Sequence, residues 1–393
     1  MQPAVAEHKA PMDIIAARTD EELNRLATDW QALERASPAP SPFQSWRWVR
    51  LWRRHFGADA TPLALLAREA DGTPLAVLPL QRDRIMGFAR LTWLSLPGAQ
   101  YGGLLLRPVE ERQRREVFEA LWQALRREQA DFIELPLLPR NDPFAAFLQA
   151  HCRQGPENAA FRIDFSAFES WRDFELSLKS SARRSRKKRL NKLQRAGDLR
   201  FQVRAAGPEN AAALERAMEW KRGWLTAQGL QGALPFRPAF AALMEEGFAN
   251  AEDDASQGEW LVATLSLDGK PISVDVGMAL DGVYYSWFSA YDAALSEHSP
   301  GKIGLWLMMQ WCMENGITVY DMLANPAPYK EDWANAHTPL EHFVAPLSMA
   351  GRAYVLWLTQ GEALARELYG NLPPGLKALV RKPLLRLRGD KPN

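Results

Sequence analysis

The chain has 393 residues, longer than one hydrophobic core ordinarily supports, and a net charge of +1, which excludes a generally acidic or basic partner surface. With 47% hydrophobic and 24% charged residues it has the balance of a globular protein rather than a disordered or fibrous one. No run approaches about 18 apolar residues, and the N-terminus, with Glu7, Asp13, Asp20, Glu21 and Glu22, lacks a secretory pattern. A cytoplasmic protein is expected. Cys152 and Cys312 are far apart and sit in no metal-type spacing, so two buried or half-buried thiols, no disulfide and no metal are expected.

In chain order, LLAREADGTPLAVL at 65–78 reads as strand, Asp71-Gly72 turn, strand. LTWLSL at 91–96 is a third strand. A helix follows over about 110–128, with Val117, Leu121, Trp122 and Leu125 at helical spacing. DFIELPLL at 131–138 closes the unit with an acid-bearing strand. A basic helix is predicted over 171–195, and residues 179–195 hold nine Lys or Arg and no acid. Gly197-Asp198 stops it, LRFQVRA forms a short strand, and a second helix spans about 207–228 with Leu214, Met218, Trp220, Trp224 and Leu225.

The first pattern then returns. VATLSLDGKPISVDV at 262–276 is strand, Asp268-Gly269 turn, strand; VYYSWFSAY at 283–291 is the next strand. A helix follows over about 301–315 with Ile303, Leu307, Met308 and Trp311, then an acid-bearing strand, TVYDMLA at 318–324. The shared Asp-Gly-x-Pro turn and shared element order point to duplication. The expected fold is α/β (α+β) with a mixed sheet, mostly antiparallel, and one β-α-β unit flanked by helices in each half. The halves are placed at 1–155 and 156–350, with an apolar helix near 353–369 and a basic tail in 351–393.

Ser299-Pro300-Gly301-Lys302-Ile303-Gly304 opens the later helix directly after a strand. Ser299 is suited to the N-cap, Pro300 to the first turn, and Gly301 and Gly304 to close approach of a ligand. Backbone N–H groups and Lys302 would cradle a phosphate or pyrophosphate; an ordinary capped helix is the alternative. The spacing is neither a P-loop nor G-x-G-x-x-G. The first half has Gly102-Gly103 followed by acids where a phosphate would sit, so one site per chain is expected.

YYSWFSAYD, SPG, the helix end Glu314-Asn315-Gly316, VYDML, Tyr329-Lys330-x-x-Trp333, the basic helix and Trp220-Lys221-Arg222 together resemble acetyltransferases of the CelD/BcsL type. These belong to the GNAT superfamily and are associated with cellulose and other exopolysaccharide synthesis. They are similar to Fem-type peptidyltransferases, which have two GNAT-like halves. The resemblance covers roughly residues 160–345 well and the first half more loosely. It implies acyl-CoA, such as acetyl-CoA, as co-substrate, its pyrophosphate at the helix start near Gly301 and its acyl group between the strands ending near Tyr291 and Asp321. The Gln/Arg-x-x-Gly-x-Gly/Ala loop of ordinary GNAT enzymes is reduced here to SPGKIG, so the CoA site follows from position.

On that reading Asp321 serves as base or positions an amine, with capping of the next turn as its alternative. Tyr329 protonates a leaving thiolate and Lys330 stabilises negative charge. Core packing is the alternative for Tyr329 and Trp333. Asp275 and Tyr291 are further candidates, and the acceptor is expected near Tyr101, Trp220, Lys221 and Lys330. The expected acceptor is an anionic small molecule or sugar. The alternatives are a Fem-type enzyme using aminoacyl-tRNA, the one nucleic acid worth testing, and a silent partner of polysaccharide synthase components. The basic helix reads as a solvated face, an electropositive wall for an anionic substrate, or an RNA surface. The basic, apolar C-terminal tail is a candidate for peripheral membrane contact.

Overall fold

A computed structural model describes residues 12–249 and 258–361. The C-terminal basic tail, and the part of the expected helix beyond 361, lie outside the described residues. The chain divides into two compact units, one of residues 12–49, 57–156 and 341–361, the other of residues 50–56, 157–249 and 258–340.

In the first unit, strand β1 (Asp13–Ala17), helices α1 (Asp20–Arg25) and α2 (Ala27–Ala36), and the start of α3 (Trp46–Phe56) precede the sheet core. Thr19 caps α1 through a reciprocal capping box with Glu22. Strands β2 (Thr61–Arg68), β3 (Pro74–Ile85) and β4 (Phe88–Trp93) run antiparallel; β5 (Leu105–Leu106) pairs with β3. Helix α4 (Glu111–Arg126) then crosses to β6 (Phe132–Pro139), which pairs parallel with β4. Helix α5 (Pro143–Gln149) and β7 (Arg153–Gln154) complete this stretch. Val117, Leu121 and Leu125 of α4 are wholly buried against Leu65, Leu78 and Ile133, so the helical spacing read in the sequence is the core face.

The second unit contains β8 (Asn158–Asp164), α6 (Trp171–Ser177), α7 (Ser180–Ala196), β9 (Leu199–Ala205), α8 (Ala211–Ala227) and α9 (Pro238–Phe248). Strands β10 (Glu259–Leu267), β11 (Lys270–Leu280) and β12 (Val283–Tyr291) follow, then α10 (Pro300–Glu314), β13 (Val319–Asp321) and the one-turn α11 (Pro328–Glu331). Strand β14 (Ala336–Pro346) pairs with β8 through residues 336–340 and with β7 through Phe343 and Val344, and α12 (Met349–Leu356) follows it. The strand order is β14-β8-β13-β12-β11-β10-β9. The expected single basic helix is two, because Leu178 and Lys179 adopt extended ψ values of 152° and 128°.

The order β10-β11-β12-β13 repeats β2-β3-β4-β6: two antiparallel pairings, then a helical crossover to a parallel one. The fold class read from the sequence is the observed one. The two turns are built differently. Asp268 and Gly269 both have positive φ, 51° and 74°, the two-residue hairpin geometry that matches strand twist. In the first turn Asp71 instead accepts from the Thr73 N–H. The second unit's core is formed by Ile163, Leu193, Ile303, Met308, Met309, Cys312 and Tyr320, all fully buried. Each such aliphatic side chain contributes roughly 1.5–3 kcal/mol of burial.

Candidate active site

Strands β12 and β13 pair over three positions only, Val283 with Val319, Tyr284 with Tyr320 and Tyr285 with Asp321. Beyond Asp321 the chain turns away through Leu323 and Asn325, both with positive φ (62° and 72°), while β12 continues to Tyr291. The parallel pair therefore opens into a split. On its other edge β12 pairs with β11, and a bulge inserts Trp287: Val276 faces Phe288 but Gly277 faces Ser286.

The bulge shifts Ser286 and Tyr284 relative to β11, and both reach Asp275. The Tyr284 hydroxyl donates to Asp275 Oδ1 at 2.5 Å and the Ser286 hydroxyl to Oδ2 at 2.8 Å. The Tyr320 hydroxyl, on β13, lies 3.5 Å from Oδ2. Asp275 is 9% exposed, and burial pushes its carboxyl up to about 6 even though the three hydroxyls and the nearby Lys221 ammonium favour its charged form. Lys221, from α8, donates to the carbonyl of Ser289, the residue directly opposite Asp275. Its ammonium lies over the rings of Trp224 and Phe288, at 5.5 and 5.4 Å. Burial pulls its pKa down, opposed by Asp275.

Tyr329 is 45% exposed; burial first, and then the charge of Asp275, holds its hydroxyl protonated above the ordinary range. A buried carboxylate near neutrality, beside an exposed phenol and a partly desolvated lysine, is equipped to move protons. Tyr284, Ser286 and Tyr320 were not singled out in the sequence. Asp275, read there as a further candidate, is where they converge.

Asp321 and Lys330 are differently engaged. Asp321, 1% exposed, accepts from the Leu323 N–H at 2.7 Å and forms an ion pair with Arg162 at 3.2 Å. Lys330, 7% exposed, donates to the carbonyls of Leu323 (3.2 Å) and Ala324 (2.6 Å). Burial lowers its pKa to about 8, with Asp321 opposing. Together they hold the left-handed Leu323 and the Ala324 that follows it in the turn that ends β13, so the capping alternative for Asp321 matches the geometry. Trp333 is buried in the core, under the guanidinium of Arg186 at 4.1 Å from the ring centroid. Trp220 is half-buried beneath Arg216 at 5.6 Å.

At the start of α10, Ser299 has φ 52° and ψ 55° and makes no side-chain cap, so the expected N-cap bond is absent. Its backbone carbonyl instead receives the Lys302 and Ile303 N–H groups. Among the described residues, the Gly301 N–H has no acceptor within the protein. A Cβ on Gly301 would lie 2.7 Å from Tyr291, and one on Gly304 2.8 Å from the Ser273 hydroxyl. Both glycines thus let α10 lie close on β11 and β12. Tyr291 itself is 43% exposed, and Lys302 is exposed.

Tyr101 belongs to the first unit, where it is buried with its carbonyl accepting from Gln44 and its ring 6.2 Å from Phe43. Counting from the two Asp-Gly turns, Leu78 stands in β3 where Asp275 stands in β11, so the first unit carries no carboxylate there. Among the described residues no three His, Cys, Asp or Glu side chains are placed to hold a metal ion.

Residues 180–331 match the family described as the acetyltransferase (GNAT) domain. None of the curated proteins matches the chain. Among solved structures the chain is similar to FemX, with 11% identity and a TM-score of 0.56 over 84% of this chain and 98% of that one. It is also similar to the C-terminal domain (DUF2156) of a putative lysylphosphatidylglycerol synthetase from Agrobacterium fabrum, with 15% identity and a TM-score of 0.50 over 85% and 98%. A conserved protein of unknown function from Bacteroides thetaiotaomicron shares 9% identity at a TM-score of 0.50 over 81% and 96%. These identities speak for fold alone. The parallel split, the bulged β12 and the helix after it all lie within residues 180–331, the stretch that matches the GNAT acetyltransferase domain, and the chain shares its fold with FemX.

Proposed function

We propose that the chain is an acyltransferase that moves an acyl group, acetyl in the simplest case, from acyl-CoA to an amine or hydroxyl. The observation that carries this is the Asp275 cluster beside the split between β12 and β13. The residues present suit the co-substrate. The Gly301 N–H and Lys302, at the start of the 15-residue α10, would hold the pyrophosphate, with Ser299, Pro300 and Gly304 shaping the approach. The thioester would lie along the unpaired edge of β12, near Tyr291.

In the reaction, the acceptor's N–H or O–H attacks the thioester carbon and its proton passes to Asp275, directly or through the Ser286 hydroxyl. The C–S bond breaks, and the departing thiolate takes the Tyr329 proton. The proton on Asp275 then restores Tyr329, so no proton is gained or lost. Lys221 orients the acceptor and steadies the Asp275 charge. Asp321 and Lys330 act by holding the turn that opens the split.

The acceptor is read as an anionic small molecule or a sugar of the cell envelope or of an exopolysaccharide, on the strength of the motif resemblance at residues 283–333. Work at the cytoplasmic face is consistent with the described residues, none of whose helices is long and apolar enough to cross a membrane. The run of nine Lys or Arg over 179–195 favours a second reading, Fem-type transfer from aminoacyl-tRNA. The test is thiol release from acetyl-CoA against a panel of amino sugars, with and without ribonuclease. Turnover lowered about 100-fold in Asp275→Asn supports the proposal; turnover unchanged in that variant contradicts it.

A further inference from the structure

Arg186 is the one residue of the basic helix α7 that is buried as a charge. It is 8% exposed, and its guanidinium stacks on Trp333. No protein atom accepts from its Nε or Nη2. Those two N–H groups lie on one edge of the guanidinium plane, the edge that grips two oxygens of an oxyanion at once. A buried cation with both of these donors unmatched is costly, and burial first, then the charge of Arg183, pulls its pKa down. The groups facing it are few. Glu175, on α6, is close enough for its charge to be felt yet makes no bond to Arg186. Arg183 is felt as a second positive charge, and its own guanidinium donates to the Glu175 carbonyl at 3.3 Å. The Trp306 indole N–H, in the same apolar cluster as Trp333, is a further buried donor with no protein acceptor.

We propose that Arg186, seated on Trp333, anchors a binding site for a phosphate group. The unmatched groups are donors only, so the ligand must bring acceptors only. Arg183 and Arg186 outweigh the single Glu175, which selects a dianion over a monoanionic carboxylate. Trp333 fixes the plane of the fork, so the oxygens must approach along one edge. Trp333 also follows Lys330 directly after α11, with its N–H donating to the Lys330 carbonyl. A phosphate bound here would therefore meet the far end of the turn that opens the split.

The test is calorimetric titration of the full chain with inorganic phosphate, and with acetate, at constant ionic strength and without acyl-CoA. Saturable phosphate binding is expected, at least tenfold weaker in Arg186→Lys, which keeps the charge and loses the fork. It is expected to be several-fold tighter in Glu175→Gln, which removes the competing carboxylate from a half-exposed position and keeps the test decisive if Arg186→Lys fails to fold. Displacement of phosphate by CoA but not by dephospho-CoA would assign the site to the 3′-phosphate of the co-substrate. Displacement by neither would assign it to a separate phosphorylated ligand. No saturable phosphate binding to the unaltered chain, acetate binding as tightly as phosphate, or Glu175→Gln matching the unaltered chain would overturn the proposal.

Discussion

The Tyr284 hydroxyl reaches Asp275 Oδ1 at 2.5 Å by lying across Gly277, where a Cβ would stand 2.5 Å from the Tyr284 ring and 2.4 Å from the Tyr285 carbonyl. The contact therefore depends on the absence of a side chain one strand away. Gly277→Ala is expected to destabilise by about 1–3 kcal/mol through overpacking and to displace the phenol from the carboxylate. Thermal melting and acyl-transfer rates would both fall; a variant with unaltered activity would show that this hydroxyl does not matter to the reaction.

Asp275 makes stability and activity depend on pH in opposite senses. Its carboxyl titrates at about 6 in the folded chain against an ordinary value of 3.8, so the folded state holds the proton more tightly. The stability it contributes is full below 3.8 and declines as pH rises through 6, by at most on the order of 3 kcal/mol. Asp275→Asn cannot titrate, and should gain stability relative to the unaltered chain between pH 4 and pH 7.5. Activity of the unaltered chain should instead rise through about pH 6, as the base loses its proton. Melting curves at the two pH values, beside a pH–rate profile, check both limbs.

Much of the architecture was legible because it is local. The Asp-Gly turns, the helical spacing of Val117, Leu121 and Leu125, and the stop at Gly197 each follow from residues close in sequence. The Asp275 cluster was not legible, because its hydroxyls come from β12 and β13 and meet only after a bulge at Trp287 resets the register. Nothing in VYYSWFSAY marks which residue is extra. Asp321 and Lys330 were found as chemical types, but a sequence does not tell whether a lysine faces a ligand or the carbonyls of its own turn.

Lys330→Ala separates those two roles. Loss of the Nζ bonds leaves the Leu323 and Ala324 carbonyls unmatched, which costs about 1–3 kcal/mol. The melting temperature should fall together with activity, because the β13 turn loosens. A large loss of activity at unchanged melting temperature would instead return Lys330 to the chemistry.

Gly301→Ala probes the close seating of α10. The added methyl meets the Tyr291 ring, so acyl-CoA binding should weaken several-fold while the N–H is retained. Equal binding would mean that Tyr291 yields without consequence for the ligand.

The most direct measurement is calorimetric titration of acetyl-CoA into the unaltered chain, Lys302→Glu and Asp275→Asn. Micromolar binding is expected for the unaltered chain, at least tenfold weaker binding for Lys302→Glu, and little change for Asp275→Asn, whose defect lies in turnover. Absence of binding to the unaltered chain, or equal binding by Lys302→Glu, would contradict an acyl-CoA site at the start of α10.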